Sequence, residues 1–93
     1  MLNLHVTYTA KPGCRYDFVK ELESSGCAPA VRKEPGCCRY DYFYADANED
    51  DVLLIEVWED EAAQQVHLTT ETMAKIRAIK DKYILTTKLE KVE

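Results

Sequence analysis

The side chains of this sequence that are best suited to chemistry lie close together in its second half. His67 follows the only tryptophan, Trp58, by nine residues, and Glu56 precedes that tryptophan by two. An imidazole can take or give a proton near neutral pH, so His67 is a candidate catalytic base beside a pocket. A buried histidine bonded to a backbone carbonyl would give the same pattern, and the residues alone leave both interpretations open.

Trp58 and Glu56 share one face of a predicted strand with Leu54, because alternate residues of a strand point the same way. The indole offers a flat wall and an N–H donor to an aromatic substrate, besides packing beneath helices. Glu56 is a carboxylate on an otherwise apolar face, and a buried carboxylate needs a partner or takes up a proton. Arg39, on the neighbouring strand, is the expected partner, in a pair that is structural, interfacial or part of the pocket.

Other side chains could face either a pocket or a second subunit. His5 alternates with the apolar residues of the first predicted strand, so it lines the pocket or an interface. Tyr40, Tyr42 and Tyr44 share one face of another strand, a pattern more typical of surface or interface packing than of redox chemistry.

The cysteines do not have the spacing of a metal site. There are four, at Cys14, Cys27, Cys37 and Cys38, and no two of them form a CxxC pair. Adjacent cysteines point to opposite faces of a strand, a poor arrangement for binding one metal ion. We therefore predict no metal and no cofactor, and cysteines that act as small core hydrophobes.

Length and composition limit the class of protein. Residues 1–93 are expected to form a single domain, and 46% hydrophobic with 31% charged residues is ordinary for a globular chain. The net charge of −5 is spread along the sequence, which argues against nucleic acid as a partner. No signal peptide or membrane-length apolar run is visible, so we expect a cytoplasmic protein with reduced cysteines and no membrane contact.

The elements that position these residues follow from periodicity and turn signals. Alternation predicts strands near residues 2–9, 37–44, 51–58 and 84–92; helical spacing predicts helices at 14–25 and from about 71, with shorter ones near 28–33 and 60–68. Asp60 is the expected N-cap of the helix that carries His67. This order is βαββαβ, with the second α split, which predicts an α+β, ferredoxin-like, four-stranded antiparallel sheet with helices on one face.

The third strand also predicts an assembly. Both its even face and its odd face are apolar, so both sides of the sheet need cover, and the helices supply only one. A second copy of the chain is the simplest cover for the other face, which would make a dimeric α+β barrel.

The sequence resembles the antibiotic biosynthesis monooxygenase-like family, which includes quinol monooxygenases. The residues that carry the resemblance are Lys11-Pro12-Gly13, Glu34-Pro35-Gly36-Cys37 with Tyr40-Asp41, Glu56-Val57-Trp58-Glu59-Asp60-Glu61-Ala62, and His67. The resemblance implies a homodimer and, in some members, oxidation of a phenol or quinol by dioxygen without metal, flavin or haem. It also strengthens the interpretation of His67 as the catalytic residue.

Two related branches match less well. In phospho-autoinducer isomerases a second histidine commonly follows the first by five residues, and Thr72 occupies that position here. Haem-degrading monooxygenases use an Asn, a Trp and a haem-ligating His, at positions that hold Thr7, His67 and Arg77 in this chain. The isomerase stays an alternative, whereas the haem enzyme is not supported.

The predicted function is therefore a cofactor-independent monooxygenase acting on a small phenolic or quinol-like compound. His67 is the predicted base, and the predicted substrate-binding residues are Trp58, Glu56, Leu54, Arg39 and His5. The first alternative is an isomerase of a phosphorylated signalling molecule, whose phosphate would need the clustered cations Arg32, Lys33 and Arg39. The second alternative is a non-catalytic small-molecule-binding dimer.

Overall fold

The computed structural model describes all residues from 1 to 93. The elements are β1 (Leu2–Ala10), α1 (Arg15–Ser24), α2 (Cys27–Arg32), β2 (Cys37–Tyr44), β3 (Asp51–Trp58), α3 (Glu61–Leu68), α4 (Glu71–Tyr83) and β4 (Ile84–Val92). Both helical connections are split, the first of them at Gly26, whose φ of 84° ends α1 and begins α2. Glycine adopts this left-handed conformation without the steric penalty of a Cβ.

The four strands form one antiparallel sheet in the order β2-β3-β1-β4. Alternate residues of β1 and β3 are buried, and the residues between them are partly exposed. The predicted α+β, ferredoxin-like fold is confirmed, with the helices packed on the buried face of the sheet.

The core lies between that face and the helices. It holds 15 buried residues in one cluster, among them Phe18 and Leu22 from α1, Val31 from α2 and Ile76 from α4. Phe18 contacts the ring of Tyr8 edge-on at 5.4 Å, which joins α1 to β1. Aromatic pairs of this geometry add to the stabilisation from burial alone.

Two polar caps set where the helices near His67 begin. The Asp60 carboxylate accepts a hydrogen bond from the backbone N–H of Ala63 at 2.8 Å, which confirms the predicted N-cap of α3. Thr70 caps α4 in the same way through the N–H of Met73. Each cap satisfies an N–H that the first helical turn leaves unpaired.

The opposite face of the sheet has no cover within the chain. Leu53, Ile55 and Val57 of β3 are partly exposed there, and Phe43 of β2 is exposed. Strand β4 is exposed along nearly its whole length. None of the helices has the length and apolar character that crossing a membrane requires.

Candidate active site

A cavity of about 150 Å³ lies between the sheet and the two helices α3 and α4. Its floor consists of buried side chains: Val6, Tyr8, Tyr40, Glu56 and His67. Its rim consists of partly or fully exposed ones: Gln64, Leu68, Met73, Lys80, Thr87 and Leu89. The floor thus combines an apolar surface with an imidazole, a carboxyl group and two phenols, which is typical of a small-molecule site.

His67 is the most specifically oriented group in this cavity. Its side chain is on the inner face of α3, is only 2% exposed, and stacks on Trp58 with ring centroids 4.9 Å apart. Its Nδ1 lies 3.0 Å and 3.3 Å from the two carboxylate oxygens of Glu34. Because a carboxylate only accepts hydrogen bonds, Nδ1 carries the proton in the neutral ring and Nε2 carries the lone pair.

The Nε2 atom of His67 is available to a ligand. It has no hydrogen-bond partner within the chain, and it is not fully buried. Since the ring lines the cavity and Nδ1 is occupied by Glu34, we infer that Nε2 faces the cavity. The pair of Glu34 and His67 therefore has the geometry of a histidine base oriented by a carboxylate.

The sequence does not reveal Glu34 as part of the site, because the only local signal is a turn, Glu34-Pro35-Gly36. That turn packs tightly against α3: a Cβ placed on Gly36 would lie 2.6 Å from the Cβ of Ala63. The Gly36 carbonyl also accepts a hydrogen bond of 2.8 Å from the backbone N–H of Glu59. This docking brings Glu34 to His67 across 33 positions of sequence.

Only part of α3 faces the sheet. Ala63 is half-buried and His67 is buried, whereas Ala62 is exposed and Val66 is 63% exposed. Ala62 and Val66 line a second, larger and more open groove of about 320 Å³ on the outer side of α3, which Glu34 also lines. We favour the smaller cavity as the active site because His67 lines it and the outer groove has no histidine.

Glu56 and Trp58 interact with each other on the inner face of β3. The indole N–H donates a hydrogen bond of 3.0 Å to one Glu56 oxygen, so it is not free for a substrate. Burial raises the pKa of Glu56, and the Trp58 hydrogen bond opposes part of that rise. The second Glu56 oxygen has no partner in the chain and opens into the cavity.

Trp58 and Leu54, both predicted to bind substrate, lie beneath the cavity floor. Both are fully buried, and neither lines the cavity. Trp58 instead packs against the His67 ring and holds Glu56 through a hydrogen bond. The structure therefore places these two residues behind the groups that a ligand would touch.

The two phenols of the floor are uncharged donors. Burial is the main cause of a strong rise in the pKa of Tyr8 and of Tyr40. The Tyr42 hydroxyl donates to the Tyr40 hydroxyl at 3.3 Å, whereas the Tyr8 hydroxyl has no partner in the chain. The expectation that Tyr40 packs at a surface or interface is wrong, since it is 2% exposed and belongs to the core; Tyr44 does pack at the surface.

The fold and the cavity allow comparison with known proteins. The family model described as antibiotic biosynthesis monooxygenase matches residues 1–79. The chain belongs to this family. It is 33% identical, over 70 residues, to a Bacillus subtilis protein with the name "Putative monooxygenase YcnE", and this match covers 75% of the chain and 72% of the relative.

Solved structures agree with this antibiotic biosynthesis monooxygenase fold. The Pseudomonas aeruginosa protein PA3566 is 27% identical, with a TM-score of 0.84 over 98% of this chain and 90% of that one. A Deinococcus radiodurans protein described as a "putative antibiotic biosynthesis monooxygenase" is 21% identical, with a TM-score of 0.85 over 100% of this chain and 91% of that one. The second likeness shows the fold alone. The resemblance inferred from the sequence motifs is confirmed.

The predicted ion pair of Arg39 with Glu56 is wrong. Arg39 binds Asp41 at 3.0 Å instead, on the outer face of the sheet. Cys37 pairs with Trp58 but Arg39 pairs with Val57, so Cys38 is the extra residue of a β-bulge. After this bulge, Tyr40 rather than Arg39 lies opposite Glu56.

Three further sequence predictions have clear positions. His5 pairs with Ile55 on the outer face of the sheet, away from the cavity of His67. Thr72, at the position of the isomerases' second histidine, does not line the cavity.

Only Cys27 of the four free cysteines is buried, so the expectation of core cysteines is wrong for the exposed Cys38. No group of three or more His, Cys, Asp or Glu side chains is placed to hold a metal ion.

Proposed function

We propose that this member of the antibiotic biosynthesis monooxygenase family is a cofactor-independent monooxygenase that oxidises a small phenolic or quinol-like compound. The observation that supports the proposal most is the open Nε2 of His67, in a ring whose Nδ1 is held by Glu34. A base that is buried, oriented and directed into a cavity of this size suits proton abstraction from a small hydroxyl compound.

The mechanism begins with a proton transfer from the substrate hydroxyl to Nε2 of His67. The Glu34 carboxylate stabilises the imidazolium that forms, and the Tyr8 hydroxyl donates a hydrogen bond to the phenolate. The buried floor excludes water from the electron-rich phenolate. These residues supply the base, the orientation and the dry surroundings, while the substrate supplies the electrons.

The oxygen step balances without an added reductant. The phenolate gives electrons to dioxygen, a carbon–oxygen bond forms at the ring carbon para to the hydroxyl, and the oxygen–oxygen bond breaks. The second oxygen atom leaves as water with the para hydrogen and the proton that His67 returns. The products are one quinone and one water per phenol and dioxygen.

The proposal includes a homodimer that pairs through the outer face of the sheet. The half-buried Leu53, Ile55 and Val57 and the exposed Phe43 form an apolar patch on this face that no element of the chain covers. A second copy would cover this face and close an α+β barrel. We retain a cytoplasmic location in the proposal because four free cysteines suit a reducing compartment.

The contacts favour this proposal over the phosphate-binding alternative. Arg32 is paired with Glu23 at 2.7 Å, and Arg39 is paired with Asp41, both outside the cavity. Lys80 is the single cation at the cavity, whereas a phosphate is usually held by several converging donors. A non-catalytic binding dimer would share the cavity but not the turnover.

Oxygen uptake tests the proposal. The purified protein is expected to consume dioxygen with monocyclic phenols and quinols, and His67→Ala should lower the rate by about a hundredfold or more. Gln65→Ala, at an exposed position of the same helix, is the control and should keep the rate. Because His67 is buried against Trp58, a lower Tm is expected in any case. Loss of turnover at a temperature where the variant keeps the native circular-dichroism spectrum would mark His67 as catalytic; no uptake by the native protein would favour the binding dimer.

A further inference from the structure

Lys80 lies at the rim of the cavity with no carboxylate within ion-pair distance, and Glu56 and Asp81 act on its charge only at longer range. It is half-buried on α4, and its ammonium group makes no hydrogen bond or ion pair within the chain. Its nearest distinct partner is the face of the Tyr8 ring, with Nζ 5.1 Å from the centroid. Its ammonium group is only partly solvated, and this burial lowers the pKa of Lys80.

What sets Lys80 apart from the other lysines is its burial. Of the 12 lysines and arginines, four are paired with a carboxylate within 4 Å, namely Arg32, Arg39, Lys82 and Lys88. The other unpaired lysines are exposed, whereas Lys80 is half-buried. Glu56 is the only carboxyl group that shares the cavity with Lys80. One of its two oxygens already accepts a hydrogen bond from the Trp58 indole. A half-buried ammonium group in these surroundings is well placed to bind an anion that comes from outside.

The size of the cavity limits that anion to a small molecule. Its volume is about 150 Å³, and a protein cavity of roughly 150 Å³ holds a single benzene ring. A monocyclic ring would fill the space, and substituents on its far side would emerge at the rim. A fused-ring compound would extend beyond the cavity at its rim.

The difference in burial among the polar groups of the cavity gives the ring a direction. His67, Tyr8 and Glu56 lie on the buried floor, and Lys80 lies on the rim, over the Tyr8 ring. A hydroxyl that donates to His67 Nε2 therefore points inward, which turns the rest of the ring toward the rim where Lys80 lies. One ammonium group matches the single charge of a carboxylate, whereas a phosphate dianion prefers several donors.

We propose that Lys80 binds a carboxylate on the substrate, so that the substrate class is a monocyclic phenol with a ring carboxylate. This inference rests on the proposed function, which requires a free ring carbon para to the hydroxyl and so favours a carboxylate at the meta position. Lys80 acts as a specificity determinant and takes no part in the proton transfer.

Binding without oxygen tests this assignment. Under nitrogen, meta-hydroxybenzoate and its neutral isostere meta-hydroxybenzamide are titrated calorimetrically into the native protein and into Lys80→Met, Lys80→Arg and Lys75→Met. Lys75 is an exposed lysine of the same helix and provides the matched control. Because a hydrogen bond to a charged group is worth about 1.5–3 kcal/mol, we expect a preference for the carboxylate of roughly ten- to a hundredfold in Kd.

The preference should disappear in Lys80→Met, persist in Lys75→Met, and survive largely in Lys80→Arg. Equal affinities of the native protein for the two compounds would overturn the assignment even if Lys80→Met failed to fold, and so would an unchanged preference in a folded Lys80→Met. A carboxylate preference without any oxygen uptake would support the Lys80 site and contradict the monooxygenase. Oxygen uptake with neutral phenols and no preference for carboxylates would do the reverse.

Discussion

At the scale of single residues, the chemistry depends on which nitrogen of His67 carries the proton. Glu34 accepts from Nδ1, so it holds the neutral ring in the form whose Nε2 lone pair opens into the cavity. In the proposed mechanism the carboxylate also stabilises the charge that appears on the ring after proton transfer. The proposal thus makes Glu34 a positioning residue, whose effect on turnover acts through His67.

Replacing Glu34 by glutamine tests its effect on His67 while keeping the size of the side chain. The side-chain amide of Glu34→Gln is uncharged and offers Nδ1 either its oxygen or its N–H, so His67 loses both its fixed tautomer and the stabilisation of its imidazolium. Turnover should fall by about a hundredfold or more, as expected for removal of a general base. Nitrogen NMR of His67 reports the tautomer directly, and Glu59→Gln is the control at an exposed carboxylate near the same turn. Full turnover with the proton on Nε2 would rule out this role.

What the sequence predicts at this scale depends on how local the signal is. His67 and Glu56 stand out because a histidine and a carboxylate interrupt apolar stripes of predicted elements. Glu34 and Lys80 do not, since one lies in a turn and the other among several lysines of a helix with exposed faces. Their meaning comes from contacts across the fold, which periodicity does not reveal.

At the scale of elements, the turn before β2 and the start of α3 behave as one unit. Gly36 has a φ of 83°, and the space at its Cα is filled by Ala63. The absence of a side chain therefore serves both the turn conformation and the close approach of α3. The same contact fixes the distance between Glu34 and His67.

The Gly36→Ala variant tests this coupling. A left-handed conformation costs an alanine about 1–2 kcal/mol, and the overlap with Ala63 adds about 1–3 kcal/mol of overpacking. Gly26→Ala is the matched control, because Gly26 has nearly the same φ and nothing within 4 Å of an added Cβ. Denaturant unfolding should show a clearly larger loss of free energy for Gly36→Ala. Equal losses for the two variants would mean that the contact with α3 is unimportant.

The elements themselves are the part of the structure that the sequence predicts best. The strands at 37–44, 51–58 and 84–92 have the predicted bounds, because each combines alternation with clear turn signals. The pairing of Arg39 with Glu56 fails because of one extra residue, Cys38, in the bulge of β2. A bulge changes which residue faces which partner while leaving the strand pattern intact.

At the scale of the whole molecule, the two faces of the sheet are unequal. The helices cover the inner face, while Leu53, Ile55 and Val57 on the outer face and most of β4 have no cover within the chain. A chain of this length gains considerable buried area from pairing with another subunit. The proposed dimer would supply that cover.

A charge at the centre of the outer face should prevent pairing. Ile55→Glu places a carboxylate where a second sheet would lie, and burying an unpaired charge costs several kcal/mol. Light scattering is expected to give twice the chain mass of 10.7 kDa for the native protein and the single chain mass for the variant. Gln65→Glu, which adds the same charge to the exposed side of α3, should remain a dimer. A native protein that scatters as a monomer would contradict the barrel.

The proposed reaction inserts one atom of dioxygen into a phenol at the His67 cavity, and isotopically labelled dioxygen shows where both oxygen atoms go. The native protein is incubated with the labelled gas and monocyclic phenols whose para carbon is free, meta-hydroxybenzoate among them, and the products are analysed by mass spectrometry. We expect one labelled oxygen atom in each quinone and the other in water, with loss of labelled product in His67→Ala. A quinone without label, formed together with hydrogen peroxide, or labelled quinone formed equally by His67→Ala, would contradict the proposed reaction.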